Sequence, residues 1–283
     1  MIRLCAFSDE AAKDLLGQIQ ALQRNSVWMT ELRSVDGKNV KDLSVKEAKN
    51  IHAALQDSGI LVWAVGSPLG KIDLKKFDEQ YLDLVKYICE IAHILGTKKI
   101  RAFSFFRAYD EPERVVEACN RMAEVAIAND AVLCHENEKE VYGDTAIRVR
   151  ELMLKLQGWK FVYDPANFVQ TGQFAEETLS LASQCDYYHI KDALAKTGEL
   201  VPAGEGDGAV KCLVAGIRGD KTLTIEPHLA LFEGYDEIDG SEMKHRRVYR
   251  TRGEAFDVAV NSLKAILKDV GYRETDGIWE RLK

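Results

Sequence analysis

Residues 131–136 read Ala-Val-Leu-Cys-His-Glu, a short apolar run that ends in two side chains able to do chemistry. Amphipathic stretches flank it at 112–129 and 146–156, and Pro112 sits in the first turn of the earlier one. A strand between two helices is one βα unit, and the alternation extends outward in both directions. Upstream, Ile2–Phe7, Val27–Leu32, Ile60–Val65 and Lys99–Phe103 read as strands; downstream, Lys160–Asp164, Asp186–Ile190 and Thr222–Glu226 do. Helical stretches fall at about 11–23, 44–58, 73–95, 175–184, 208–217 and 253–269. Ser44 followed by Glu47 forms a capping box, and Gly59 and Gly96 stand where helices stop.

Eight strands, each followed by a helix, imply parallel strands joined by crossovers. From Phe7 to Glu226 the repeat averages about 31 residues, close to the roughly 30 of a βαβ unit. An open doubly wound sheet would want a glycine-rich phosphate turn after the first strand, and Phe7-Ser8-Asp9-Glu10 holds no glycine. The expectation is an α/β fold, a single (β/α)8 TIM barrel over residues 1–283, with no linker and no internal repeat.

Charge and composition narrow the function. The chain has 38 Lys+Arg against 45 Asp+Glu, a net charge of −7, which argues against nucleic acid as a partner. Its 46% hydrophobic fraction suits a globular core and excludes disorder. No apolar run approaches the ~18 residues of a membrane span, so no membrane partner is expected. The start, Met1 to Glu10, is too short and too soon acidic for a secretory signal. Cysteines 5, 89, 119, 134, 185 and 212 form no CxxC pair and read as buried free thiols of a reducing, cytoplasmic compartment.

The strand ends carry the chemistry. Glu136, Asp164, His189 and Glu226 top four consecutive strands, 28, 25 and 37 residues apart. In a closed barrel those strands are neighbours, so the four side chains converge on one half of the mouth. Singly, each has a plainer reading: an acid at a strand end is often a helix N-cap, as Asp164 before Pro165 would be. Together they are costly to gather without a cation. Three carboxylates and an imidazole suit one divalent ion such as Mn²⁺, Mg²⁺, Co²⁺ or Zn²⁺.

These strand ends, with Glu-Leu-Arg (31–33), Gly-Ser-Pro-Leu-Gly-Lys (66–71), His-Ile-Lys-Asp (189–192) and Gly-Glu-Gly-Asp-Gly (204–208), resemble the xylose isomerase-like TIM barrels, in particular the sugar-phosphate isomerase/epimerase branch. The resemblance runs from Arg3 to about Leu267. It implies that Glu136, Asp164, His189 and Glu226 bind one metal, and that Glu136 and Glu226 move protons. A metal chelating a carbonyl oxygen and its neighbouring hydroxyl acidifies the intervening carbon–hydrogen bond and stabilises an enediolate. Return of the proton to the other face is epimerisation; return to the adjacent carbon is isomerisation.

One position departs from the pattern: Asn167 stands where related epimerases carry a histidine that contacts substrate. The apurinic-site endonucleases of the superfamily need that histidine and others from earlier strands. The ends of strands three and four, Gly66-Ser67-Pro68 and Phe103-Ser104-Phe105, have none. Asn167, Lys191, Arg33, Lys71 and Arg107 are candidate substrate contacts, the charged ones able to hold hydroxyls, a carboxylate or a phosphate. Each of Lys71, Arg33 and Arg107 is equally readable as a solvated loop charge. His135, Asn137 and His228 flank the glutamates and are candidates to support them. His52, His93 and His245 read as surface or packing residues.

The expected function is a metal-dependent carbohydrate isomerase or epimerase acting on a small-molecule sugar, sugar phosphate or keto-sugar. A keto-sugar or inosose dehydratase shares the first proton abstraction; a sugar-binding barrel without catalysis is a third reading. The long segment 229–252 is either a lid or a solvated excursion. The tail 271–283, with Trp279, docks either on a partner in a homo-oligomer or on its own barrel.

Overall fold

The computed structural model describes residues 1–230 and 249–282. Eight parallel strands form the centre: β1 (Ile2–Ala6), β2 (Met29–Leu32), β3 (Leu61–Gly66), β4 (Lys99–Ala102), β5 (Val132–Glu136), β6 (Lys160–Tyr163), β7 (Tyr187–Ile190) and β8 (Lys221–Ile225). They lie side by side in chain order, and β8 returns to β1, Ala6 pairing with Ile225, so the sheet closes. The TIM barrel is therefore present as expected.

Around it run α1 (Leu15–Arg24), α2 (Val45–Asp57), α3 (Glu79–Ile94), α4 (Pro112–Ala128), α5 (Ala146–Lys155), α6 (Pro165–Gln170), α7 (Ala175–Ala182), α8 (Val210–Gly216) and α9 (Arg252–Asp269). Local chemistry sets several boundaries. The Ser44–Glu47 capping box opens α2, and Gly59 and Gly96, at φ of 73° and 83°, follow the helices they end. The third helix begins later than its sequence suggests: Asp73 caps only a short 3-10 turn, and Asp78 caps α3 proper. The first helix also begins later than its sequence suggests, Asp14 capping α1, while Ser8–Glu10 just after β1 forms a separate 3-10 turn. The short α6 has no counterpart in the sequence reading; Asp164 caps it and Pro165 fills its first position.

Period-two alternation divides the side chains of each strand between two cores. Outward-facing Leu133, Phe161, Tyr188, Ile190, Leu223 and Ile225 join the large strand–helix core. Inward-facing Cys134, Val162 and Tyr187 form a small cluster inside the barrel, with Trp63 against it. Two residues further along, the same inward faces present Glu136, Asp164 and His189. The site is thus the polar top layer of a barrel interior that is apolar beneath.

Five cysteines are buried and free, but Cys212 is exposed, because the short α8 turns it away from the core. The segment 229–252, expected as a lid or a solvated excursion, falls mostly on residues 231–248, outside the described residues. The tail docks on its own barrel: β9 (Tyr272–Thr275) and β10 (Ile278–Arg281) form a hairpin whose second strand pairs antiparallel with β1, Ile2 opposite Trp279. Trp279 is fully buried at the end of β1 remote from Phe7 and the mouth. Replacing it with alanine should lower unfolding free energy by about 3–5 kcal/mol in chemical denaturation. A loss under ~1 kcal/mol would mean that the hairpin does not seal the barrel floor.

Candidate metal centre at the barrel mouth

Strand ends deliver the four ligand candidates. Glu136 ends β5, Asp164 follows β6, His189 lies in β7 and Glu226 follows β8. All four are buried, and one ligand atom from each falls within 4.8 Å of the others. His189 Nδ1 lies 2.8 Å from Glu136 Oε1 and 3.2 Å from Glu226 Oε2. Lys191, on the same face of the chain as His189, places Nζ 3.3 Å from Asp164 Oδ2 and 4.0 Å from Glu226 Oε2.

Each ligand is held by its other atom. Asp164 Oδ1 accepts the Asn167 backbone N–H at 2.8 Å and so caps α6, which leaves Oδ2 for the cluster. The N-cap reading and the ligand reading are therefore both satisfied by one carboxylate. Asn137 brackets the Asp164 peptide, its Oδ1 accepting Asp164 N–H and its Nδ2 donating to Asp164 O, both at 2.8 Å. Glu226 Oε1 receives Arg33 Nη1 at 3.2 Å and faces His228 Nε2 at 3.3 Å. Its Oε2, like Asp164 Oδ2, is buried without a hydrogen bond. Two carboxylate oxygens that have ion-pair neighbours but no hydrogen bond, beside an imidazole nitrogen and a third carboxylate, fit a divalent ion with oxygen and nitrogen ligands.

Electrostatics follow from burial and crowding. Burial raises the Asp164 pKa, Lys191 opposes it, and Glu136 and Glu226 add to it; the carboxyl ends at about 7. Burial would lower His189, but Glu136 and Glu31 outweigh it and hold the imidazole well above its usual value. Glu226 goes the other way: burial would raise it, and Lys191, His228 and His189 together keep it well below the carboxylate range. His228 rises to about 9 against burial because Glu10 faces it.

Several candidates occupy other places than the sequence suggests. Arg33 is not a loop cation; it is buried, its Nε 2.8 Å from Asp9 Oδ2 and its Nη2 3.2 Å from Glu10 Oε1, and it stacks 4.5 Å from the Phe7 ring centroid. His135 faces the helix layer, away from Glu136, as alternation requires. It packs on Trp159 and Phe161, its Nε2 lies 3.0 Å from Ser104 Oγ, and burial drives its pKa down to about 3. Arg107 is exposed and pairs with Glu140 outside the cluster. Lys71 does reach the mouth region, pairing with Glu138 at 2.9 Å over the Phe103 ring. Gly70 makes this possible: at φ 84° its missing Cβ would stand 2.1 Å from Phe103 O. Asn167 donates Nδ2 to Asn137 O at 2.9 Å and keeps Oδ1 buried and unpartnered.

Among the buried charged residues not singled out as site residues from sequence, Asp9, Glu10, Glu31 and Arg101 surround the quartet and its supports. Arg101 places Nε 3.2 Å from Glu136 Oε2, and Glu31 Oε2 accepts from His189 Nε2 at 3.0 Å. A charged side chain inside a short buried strand was the available signal, since such a group needs a partner. The glycine-rich 204–208 segment wraps Asp192, whose carboxylate accepts N–H groups of Gly204, Gly206 and Gly208 at 2.9, 3.1 and 2.9 Å. A Cβ on Gly206 would fall 2.3 Å from Asp192 Oδ1.

Comparison with known proteins agrees with this architecture. A family model described as xylose isomerase-like TIM barrel matches residues 27–273. No curated protein sequence matches the chain. Among solved structures, the probable 3-DHS dehydratase AsbF involved in petrobactin synthesis from Bacillus anthracis superposes with TM-score 0.72 at 16% identity, covering 93% of this chain and 99% of that one. L-ribulose 3-epimerase gives 0.71 at 14%, covering 95% and 96%. The IolI protein with a bound zinc atom gives 0.71 at 15%, covering 95% and 99%. At such identities the likeness is one of fold. On the family match over most of its length, the chain belongs to the xylose isomerase-like TIM barrels.

Proposed function

We propose that the protein is a divalent-metal-dependent carbohydrate isomerase or epimerase in which Glu136 and Glu226 move the proton. The observation that carries this reading is the convergence of Glu136, Asp164, His189 and Glu226, each held by its other atom and each offering one atom to a common point. Similar folds titled L-ribulose 3-epimerase and IolI with zinc support it.

Bound there, a divalent ion would supply the positive charge that acidifies a carbon–hydrogen bond next to a carbonyl and stabilises the enediolate. The protein's own groups do the rest. Glu136 and Glu226 stand at the two ends of the arc from β5 to β8, so a substrate between them meets a carboxylate on each face. One removes a proton and the other returns it. Asn167 Oδ1, an open acceptor, suits a substrate hydroxyl, and Lys191 supplies a buried ammonium beside the reacting region. Arg33 and His228 orient Glu226 rather than substrate.

A dehydratase is the second reading, favoured by the likeness to AsbF and by the buried ammonium of Lys191 beside Asp164, which in that reading protonates the departing β-hydroxyl. Product mass separates the two, since dehydration loses water.

Elemental mass spectrometry of the purified protein should find about one divalent ion per chain, and His189→Ala should weaken its binding at least ~10-fold. Two or three zinc ions per chain would favour phosphoester hydrolysis instead. No ion, even after manganese reconstitution, would overturn the reading.

In deuterated water, a panel of ketoses and keto-sugars should reveal a substrate that gains carbon-bound deuterium beside its carbonyl. Glu226→Gln should cut that exchange by about 10²-fold or more while keeping the far-ultraviolet circular dichroism spectrum, because an amide is a poor base. Full activity in Glu226→Gln would remove the two-glutamate mechanism. Exchange of any kind would exclude a purely sugar-binding barrel.

A further inference from the structure

Glu31 lies outside the ligand quartet, yet it touches one of its members. It is fully buried on the inner face of β2. Its Oε1 accepts from Tyr187 Oη at 3.1 Å, and its Oε2 accepts from Thr224 Oγ1 at 3.2 Å and from His189 Nε2 at 3.0 Å. Resting on the metal site proposed above, we infer that Glu31 is a positioning residue that makes His189 a ligand.

The argument begins with proton placement. A carboxylate only accepts hydrogen bonds, so the nitrogen facing Glu31 carries a proton. Nδ1 faces the carboxylates of Glu136 and Glu226, so without an ion the ring holds a proton on each nitrogen; Glu31 keeps the one on Nε2, and the proton a divalent ion would replace is therefore the one on Nδ1. The ring plane is fixed separately, by edge contacts to Phe7 and Tyr187 at centroid distances of 5.1 and 5.5 Å. Tyr187 and Thr224 in turn fix the rotation of the Glu31 carboxylate. Ring orientation, and the choice of Nδ1 as the nitrogen that would give up its proton to an ion, are thus set by the fold.

The plainer alternative is that Glu31 merely offsets the charge of Arg101. Geometry disfavours it: Arg101 Nε is 4.0 Å from Glu31 Oε1, against 3.2 Å from Glu136 Oε2, while the His189 contact is 3.0 Å. An anionic partner also makes Nδ1 a stronger donor than a neutral one would.

The test is metal affinity, measured for Mn²⁺ and Zn²⁺ by competition with a chelating dye, in the wild type, Glu31→Gln and Tyr187→Phe, with thermal unfolding recorded beside it. Glu31→Gln keeps the shape and removes the charge; it should weaken binding about 10–100-fold while still saturating at one ion per chain. Tyr187→Phe leaves Glu31 charged but less fixed, and should weaken binding by a smaller factor in the same direction. In the ¹⁵N spectrum of the zinc-loaded wild type, His189 should show a protonated Nε2. Wild-type binding with Glu31→Gln unchanged within about two-fold would overturn the positioning role alone, whatever its thermal stability. A wild type that binds neither ion would overturn the metal site and this role with it. If Glu31→Gln does not fold, Tyr187→Phe decides: weaker binding supports the role, and unchanged binding overturns it.

Discussion

Repulsion between buried carboxylates is the constraint on which the mouth of this barrel depends. Glu31, Glu136, Asp164 and Glu226 surround His189, and each is nearly or wholly excluded from water. Such a group is stable only where opposite charges and donors are supplied from within. Lys191 and Arg101 supply part of that charge. Neighbouring clusters balance internally: Arg33 and His228 face Asp9 and Glu10, and Lys71 faces Glu138. Four carboxylates against Lys191, Arg101 and the imidazolium of His189 still leave the ionised cluster net negative. That excess of negative charge, together with the Asp164 and Glu226 oxygens left without hydrogen bonds, makes the cluster more intelligible as a cation site than as a structural ion-pair network.

Much of this was readable before any coordinates, and the misses have physical reasons. The βα alternation and the acids at the ends of β5, β6 and β8 follow from local periodicity, so they could be seen in sequence order. Glu31 and His189 are 158 residues apart and meet only across the closed interior. No local pattern encodes that meeting, and a register irregularity between β2 and β3 at Thr30/Glu31 further hides which way Glu31 faces. Other misses had signals. His135 precedes Glu136 by one residue, so strand alternation sends it to the opposite face. Asp164-Pro165 is an N-cap followed by proline, the opening of a helix. In the tail, Asp276-Gly277 at φ of 50° and 76° lies between two short strands, a strong hairpin signal.

The substitution at Asn167 also has a local logic. Asp164 accepts its backbone N–H, so the residue is fixed at the third position of α6 whatever its side chain. A histidine there could carry charge into a region already holding Lys191 and Arg101. Asparagine instead stays neutral, donates to Asn137 O, and offers an acceptor. An asparagine there leaves the Asp164 carboxylate undisturbed, because its backbone and side chain are held by separate partners.

That separation recurs throughout the site. Asp164 divides its oxygens between α6 and the cluster, Glu226 divides its own between the Arg33–His228 pair and the cluster, and His189 divides its nitrogens between Glu31 and the cluster. A side chain held through one atom and presented through another loses little freedom when a ligand arrives, since its orientation is already fixed by folding. The parallel barrel makes this arrangement accessible. Its strand ends fix each Cα, the capped helix and wrapped glycine loop that follow fix the neighbouring backbone, and alternation ensures that every second residue points to the common centre. Binding geometry is then a consequence of the same hydrogen bonds that close the fold, which is why the site can gather so much like charge on one rim.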